Sequence, residues 1–306
     1  MTVRALVVGS MVADLSFRVR KLPEHGEIIV ADEMRIFRGG KGYNHAIALA
    51  RLGCEVTMVG AVGADQFGDG FLAALEREGI DSGRVVQLRG AATAVAAPLI
   101  TPDGDAAYVQ HPGANRQLAP AHCADLPDCD VLALQGEVPA ASSEQAAKVI
   151  RRRGGIVLLD PTPPEEITEE LLASLTVLCA HEIEATALLA ARGQQLDDPV
   201  EMARALATSE RAAVVRLGAA LGATWCDGSQ AGFVEPPPVT VIDSTGTGGA
   251  FCAALAVAMV EGMPLPEAVR HGCAAAAYAA TIQGAEPALG TREEVAAMLE
   301  LMPAAT

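Results

Sequence analysis

Residues 242–255, IDSTGTGGAFCAAL, run from a strand-like segment through a glycine-rich turn into a helix-forming stretch. Such a turn leaves backbone N–H groups free at the positive end of a helix dipole, where an anion such as a phosphate is favoured. Gly246, Thr247 and Gly248 form the candidate anion hole. Phosphoryl transfer to a hydroxyl also calls for a carboxylate at that turn, to take the proton as the hydroxyl attacks. The residue that opens the helix is Gly249, which has no side chain to act as acid, base or ligand. The spacing is not the dinucleotide fingerprint, because G-x-G-x-x-G fails at Phe251 and the required βαβ unit and downstream acid are missing. Alone, the turn reads equally as a tight strand–helix junction.

A second glycine-rich turn, RGGKGYNHAIALARLG, begins at Arg38. Gly39, Gly40 and Gly42 would let the backbone approach a ligand before a helix opens over residues 44–53. Lys41 and Asn44 would offer donors to sugar hydroxyls. Because Gly42 follows the lysine and the G-x-x-x-x-G-K-[ST] spacing is absent, it is not a Walker A loop. Lysine occurs elsewhere only at positions 21 and 148, which singles out Lys41.

The rest of the chain supplies the frame. Short apolar strands are expected at VRALVVGS, EVTMVGAVG, DVLALQGE (130–137), GIVLLDP (155–161) and AAVVRLG (212–218), the last three each preceded by a helical stretch. This alternation predicts an α/β fold: a doubly wound, mainly parallel sheet with helices on both faces. DQFGDGFLAALEREGI predicts a helix stopped at Gly79, and the last ~60 residues read as helices. Segments 11–37 and 90–111 are β-rich and predict a small sheet at the edge, with a hairpin turn at PDGD (102–105). The absence of a long linker predicts a single domain over residues 1–306, with those segments as a lid or dimer surface.

At 306 residues and 51% apolar, the chain can bury both faces of such a sheet. A net charge of −16 argues against nucleic acid or an anionic membrane as partner. The seven cysteines show no C-x-x-C, and His122, Cys123 and Cys129 match no common zinc spacing, so all read as free thiols. Neither a signal peptide nor a membrane span is apparent, which predicts a cytoplasmic location. Asp14, Glu137, Asp160 and Asp243 stand near strand ends, where an open parallel sheet binds its ligands. Each reads alternatively as a solvated turn or helix cap.

In this order the motifs resemble the ribokinase-like (pfkB-type) carbohydrate kinases over nearly the whole chain. GSMVADL is similar to the first strand of that family with its sugar-contacting aspartate, here Asp14. GGKGYNHAIALARLG is similar to the first family signature in its ribokinase form, and DSTGTGGAFCAAL to the second. HPGAN (111–115) and LQGE (134–137) resemble later segments, the latter placing Glu137 at a substrate hydroxyl. The resemblance implies an ATP- and Mg2+-dependent kinase of a pentose-like sugar, working as a homodimer paired through the lid. It places Asp14, Gly39, Gly40, Lys41, Gly42, Asn44 and Glu137 at the sugar. His181, Glu184, Arg216, Gly218 and Cys273 fall at the nucleotide, with Glu184 holding Mg2+ through water and Asp243 near a monovalent-cation (K+) loop.

Three departures cluster on the phosphate side. The family aspartate that serves as base is replaced by Gly249, the asparagine of N-x-x-E by His181, and a threonine near the phosphates by Arg216. Arg216 could hold an anion, occupy the phosphate position, or be a surface arginine at a strand end. Asp243 is the only nearby carboxylate in the sequence, and a poor substitute base. Three readings stay open: a sugar kinase with impaired catalysis, a non-catalytic sugar- or nucleotide-binding pseudokinase, and another nucleotide-dependent enzyme using the same cradle.

Overall fold

The computed structural model describes residues 2–102 and 106–303. The strands are β1 Arg4–Val8, β2 Val12–Arg18, β3 Glu33–Gly39, β4 Glu55–Gly63, β5 Asp81–Leu88, β6 Ala94–Ile100 and β7 Ala106–His111. They continue with β8 Val131–Gln135, β9 Ile156–Asp160, β10 Val177–His181, β11 Ala212–Gly218, β12 Gly222–Cys226 and β13 Ala231–Val234. The helices are α1 Lys41–Arg51, α2 Gln66–Arg77, α3 Ala140–Arg152, α4 Glu169–Ala173 and α5 Glu182–Ala190. They are followed by α6 Pro199–Leu206, α7 Thr247–Val260, α8 Leu265–Ala280, α9 Ala285–Ala288 and α10 Arg292–Glu300.

The main sheet has the order β13-β12-β11-β10-β9-β8-β1-β4-β5, parallel except for β12 and β13. Strand alternation sends side chains to two apolar layers. Ala5 and Val7 of β1 join Val131 and Ala133 of β8 under α1, α7 and α8. Leu6 and Val8 join Leu132 and Leu134 in the opposite layer, with α3, α5 and α6. Small residues let α7 and α8 pack closely: ten residues of α7 are buried, from Gly249 to Ala258. The doubly wound reading of the sequence is thus borne out.

The small sheet has the order β3-β2-β6-β7 and stands apart from the main one. Its strands lie in the two expected segments, although Ile28 and Val30 fall in an irregular, exposed stretch before β3. The expected PDGD turn covers positions 103–105, outside the described residues. Three details differ from the sequence reading. The first helix begins at Lys41 rather than 44, because Gly40, at φ 91°, turns the chain directly into it. β8 is preceded by 3-10 turns at Gly113–Gln117 and Pro120–Cys123, where Pro120 removes a donor and opens the second turn. β5, β10, β12 and β13 were not foreseen; TVLCAH, for one, is too short an apolar run to distinguish from helix by period alone. Among the described residues, no helix is long and apolar enough to cross a membrane.

Candidate active site

Five strands end on one side of the main sheet and deliver Ser10, Gln135, Asp160, His181 and Arg216, as an open parallel sheet does at its carboxyl edge. Asp160 is fully buried and forms the centre of the site. Its Oδ1 accepts from Arg216 Nη2 at 2.7 Å, and its Oδ2 accepts from Lys41 Nζ at 3.0 Å. His45 Nε2, on α1, lies 3.6 Å from the same Oδ2, too far for a hydrogen bond but close enough for charge attraction. Burial opposes a charge on Asp160, yet Arg216, Lys41 and His45 outweigh it and hold the carboxyl well below its usual range. Burial also opposes a charge on His45, but Asp160, with Cys252 alongside, raises it to about 9.

Arg216 is only 7% exposed, so it is no surface arginine. Besides Asp160 it reaches Glu184 Oε2 at 3.4 Å. Its Nη1 occupies the space that a side chain on residue 248 would need, so any residue but glycine there would displace the guanidinium. The guanidinium therefore rests against the α7 turn that the sequence marks as an anion hole. Gly246, at φ 86°, caps that helix in the left-handed region where L side chains are strained. His181, Arg216, Gly218 and Cys273 line one cleft of about 190 Å³ together with Thr247 and Gly248, while Glu184, grouped with them in the sequence, is not among its lining residues.

Glu184 and His181 are tied into the start of α5. Glu184 Oε2 accepts from the His181 backbone N–H at 2.7 Å, and its Oε1 accepts from the Thr162 hydroxyl. His181 Nδ1 accepts from the Ile183 N–H at 3.3 Å, as a cap. With Arg216 beside it, Glu184 faces a fixed positive charge where the expected Mg2+ role needs free acceptors. The residues present do not fit a protein-held divalent cation there. His45, Asp160 and Cys252 bring potential ligand atoms within 4.8 Å of one another, but Lys41 and Arg216 already neutralise the one carboxylate among them.

On the other side of the 243–248 loop, a cavity of about 250 Å³ lies beneath the small sheet and includes Asp14, Ser16, Arg35, Phe37 and Tyr108. Burial, then the nearby Glu137 carboxylate, push Asp14 up to about 6. Glu137 Oε2 accepts from the Lys41 backbone N–H at 2.9 Å and from the Ser10 hydroxyl. Asn44 Oδ1 is buried without a hydrogen-bond partner, an acceptor left open at the start of α1.

Two expectations need correction. The Lys41 ammonium, expected to donate to sugar hydroxyls, is paired with Asp160 and lies 3.9 Å from Glu184, because those carboxylates are the strongest partners within its reach. The glycines of the first loop admit the protein's own chain rather than a ligand: Gly42 packs on the backbone of Gly9 and Ser10, and Gly39 lies under the Asp14 carboxylate. Asp243 is also committed. Its Oδ1 accepts from the Thr245 N–H and hydroxyl and its Oδ2 from the Gly284 N–H at 2.9 Å, which orients the side chain within its own loop.

Gly249 is buried at the first turn of α7, facing α1. A Cβ there would lie 3.3 Å from Asn44 Cβ and 3.4 Å from His45 Cδ2. Sequence reading missed His45, Cys252 and Ser10. His45 carried a signal in its place four residues after Lys41, one helical turn along the same face.

The chain matches the pfkB family carbohydrate kinase model over residues 3–292. It is 29% identical over 297 residues to a ribokinase of Bacillus subtilis, covering 96% of this chain and 98% of that protein. To a ribokinase of Arabidopsis thaliana it is 31% identical over 313 residues, covering 96% of this chain and 80% of that protein. The structure superposes on ribokinase from Thermotoga maritima with a TM-score of 0.87 at 31% identity, over 97% of this chain and 99% of that one. On Arabidopsis thaliana ribokinase complexed with ribose and ATP the TM-score is 0.85 at 29% identity, over 98% and 99% of the two chains. A family match across nearly the whole length, and the same fold at that coverage, show that this chain belongs to the pfkB family of carbohydrate kinases.

Proposed function

We propose that this protein is an ATP-dependent kinase of a pentose-like sugar hydroxyl whose phosphoryl transfer is slowed by the glycine at position 249. The observation that carries the reading is the placement of the 243–248 loop, which lines the Asp14 cavity on one side and the Arg216 cleft on the other. A sugar in the first and a nucleotide in the second would meet at the first turn of α7. That turn offers amides for developing charge but no carboxylate to receive the proton. The small sheet would act as the lid of one ribokinase-like unit. Its exposed Met34, Ile36 and Val109 suit pairing with a second copy. Magnesium would enter with the nucleotide phosphates rather than through a site held by Glu184.

A second reading, a sugar-binding pseudokinase, draws on Arg216, whose guanidinium rests against the α7 turn at Gly248 and is held there by Asp160. Both readings require sugar binding in the Asp14 cavity, and calorimetry tests it. Asp14 accepts hydroxyl donors best when ionised, so ribose affinity should rise from pH 5 to pH 7 as the carboxyl titrates near 6. Asp14→Asn should weaken binding about 10-fold or more, as loss of a hydrogen bond to a charged group does, and should flatten the pH profile. An unchanged affinity in Asp14→Asn would remove the cavity as the sugar site.

A further inference from the structure

The cleft beside α7 offers a phosphate one fixed positive charge and no ligand for a metal. Among the described residues that line it, Arg216 is the one ionised side chain, and there is no carboxylate. Burial and then Arg216 lower His181, and burial pushes Cys273 up to about 12, so both are neutral near pH 7. Behind the cleft wall, Asp160 and Glu184 are already met by Arg216 and Lys41, with His45 3.6 Å from Asp160. Their charge is matched, so neither draws a divalent cation. A threonine at 216, as in the family pattern, would take from both carboxylates their closest cationic partner.

The guanidinium is only partly used by these contacts. Its hydrogen bonds to Asp160, at 2.7 Å, and Glu184, at 3.4 Å, both leave from Nη2. Nε is buried without a partner, and Nη1 lies against Gly248 on the cleft wall. At the same point α7 opens with neither a side-chain cap nor an acidic residue in its first turn. A guanidinium beside a helix N-terminus sets two positive ends together, and an anion between them relieves the repulsion. From this we infer, building on the nucleotide reading of this cleft, that Arg216 takes the place of a divalent cation: a nucleoside di- or triphosphate binds here as the metal-free anion. Asp160 holds the guanidinium back as one wall of the cleft. Nη1 is then free to donate to a phosphate oxygen that the α7 amides meet from the other side.

The test is calorimetric binding of ADP to the unmodified chain, once in EDTA and once with excess Mg2+. ADP should bind in EDTA at least as tightly as with Mg2+, because the metal would add a second cation beside Arg216. In EDTA it should also bind about 10- to 100-fold more tightly than adenosine, the worth of charge-assisted phosphate contacts. Arg216→Thr should abolish that margin and make ADP binding depend on Mg2+. Arg216→Lys, which keeps the charge but not the planar fork, should retain more of the margin than Arg216→Thr. Tighter binding with Mg2+ than in EDTA, no margin over adenosine, or a margin that survives Arg216→Thr would overturn the inference and leave the sugar-kinase reading standing. Ribose titrated into the same preparation keeps the two apart. Ribose binding without ADP binding under either condition would overturn the inference and favour the pseudokinase; if neither ligand binds, both readings fall.

Discussion

Replacing Gly249 with aspartate should raise the turnover of a sugar by about 10²- to 10⁴-fold, the usual worth of a positioned general base. The backbone already points the new side chain between the start of α1 and the first turn of α7. The Cβ would meet Asn44 at 3.3 Å and His45 at 3.4 Å, so those side chains need to yield by only a few tenths of an ångström. The carboxylate would enter a site where His45 and Lys41 are positively charged, which favours its ionised form. ADP release over a panel of sugars, with ATP and Mg2+ at saturation, provides the measurement. No gain in the variant would mean that the phosphate side, where Arg216 lies against the α7 turn, is disabled as well. The pseudokinase reading would then prevail.

Asp160→Asn should be the most destabilising single substitution in the site, costing about 3–5 kcal/mol. It leaves Arg216 and Lys41 without their shared carboxylate, in a place where Asp160 is 0% and Arg216 7% exposed. Glu184 keeps its contact with both and limits the loss to that range. Urea unfolding would report this as a lower midpoint at unchanged slope. The pH dependence has a definite sign. The folded-state pKa of Asp160 is depressed, so its stabilisation is complete above the unfolded carboxylate value near 4 and disappears as pH falls through the lower folded value. The gap between the two proteins should therefore close in stronger acid, and it should also narrow as pH rises from about 6.5 towards 9, where His45, raised to about 9 by Asp160, gives up its charge in the folded protein. A loss below about 1 kcal/mol would mean that the buried charges are solvated by something other than Asp160.

Five strands of the main sheet and both glycine-rich turns were legible in the sequence because their signals are local. Apolar runs of strand length, bounded by glycine, fix β1, β4, β8, β9 and β11, and a helix-forming run after GTGG fixes α7. The absence of a carboxylate at Gly249 needed only its place in that turn. What escaped is long-range. Arg216 and Asp160 are 56 residues apart, and Lys41 and Asp160 119 apart, so neither ion pair leaves a trace in spacing. Without them Lys41 reads as a free donor and Arg216 as one of three possibilities. The first-loop glycines illustrate the same limit. A glycine-rich turn says that something approaches closely, and at Gly42 that neighbour is the backbone of Gly9 and Ser10.

On the proposed reading, this chain keeps a sugar kinase's substrate cavity and lacks the carboxylate that makes transfer fast. The most direct test is one preparation of the unmodified protein, assayed for sugar affinity by calorimetry and for ADP release at saturating sugar and MgATP. Measurable sugar binding is expected together with turnover far below the roughly 1–100 s⁻¹ usual for kinases. Turnover within that range would contradict it, because a base other than residue 249 would then be at work.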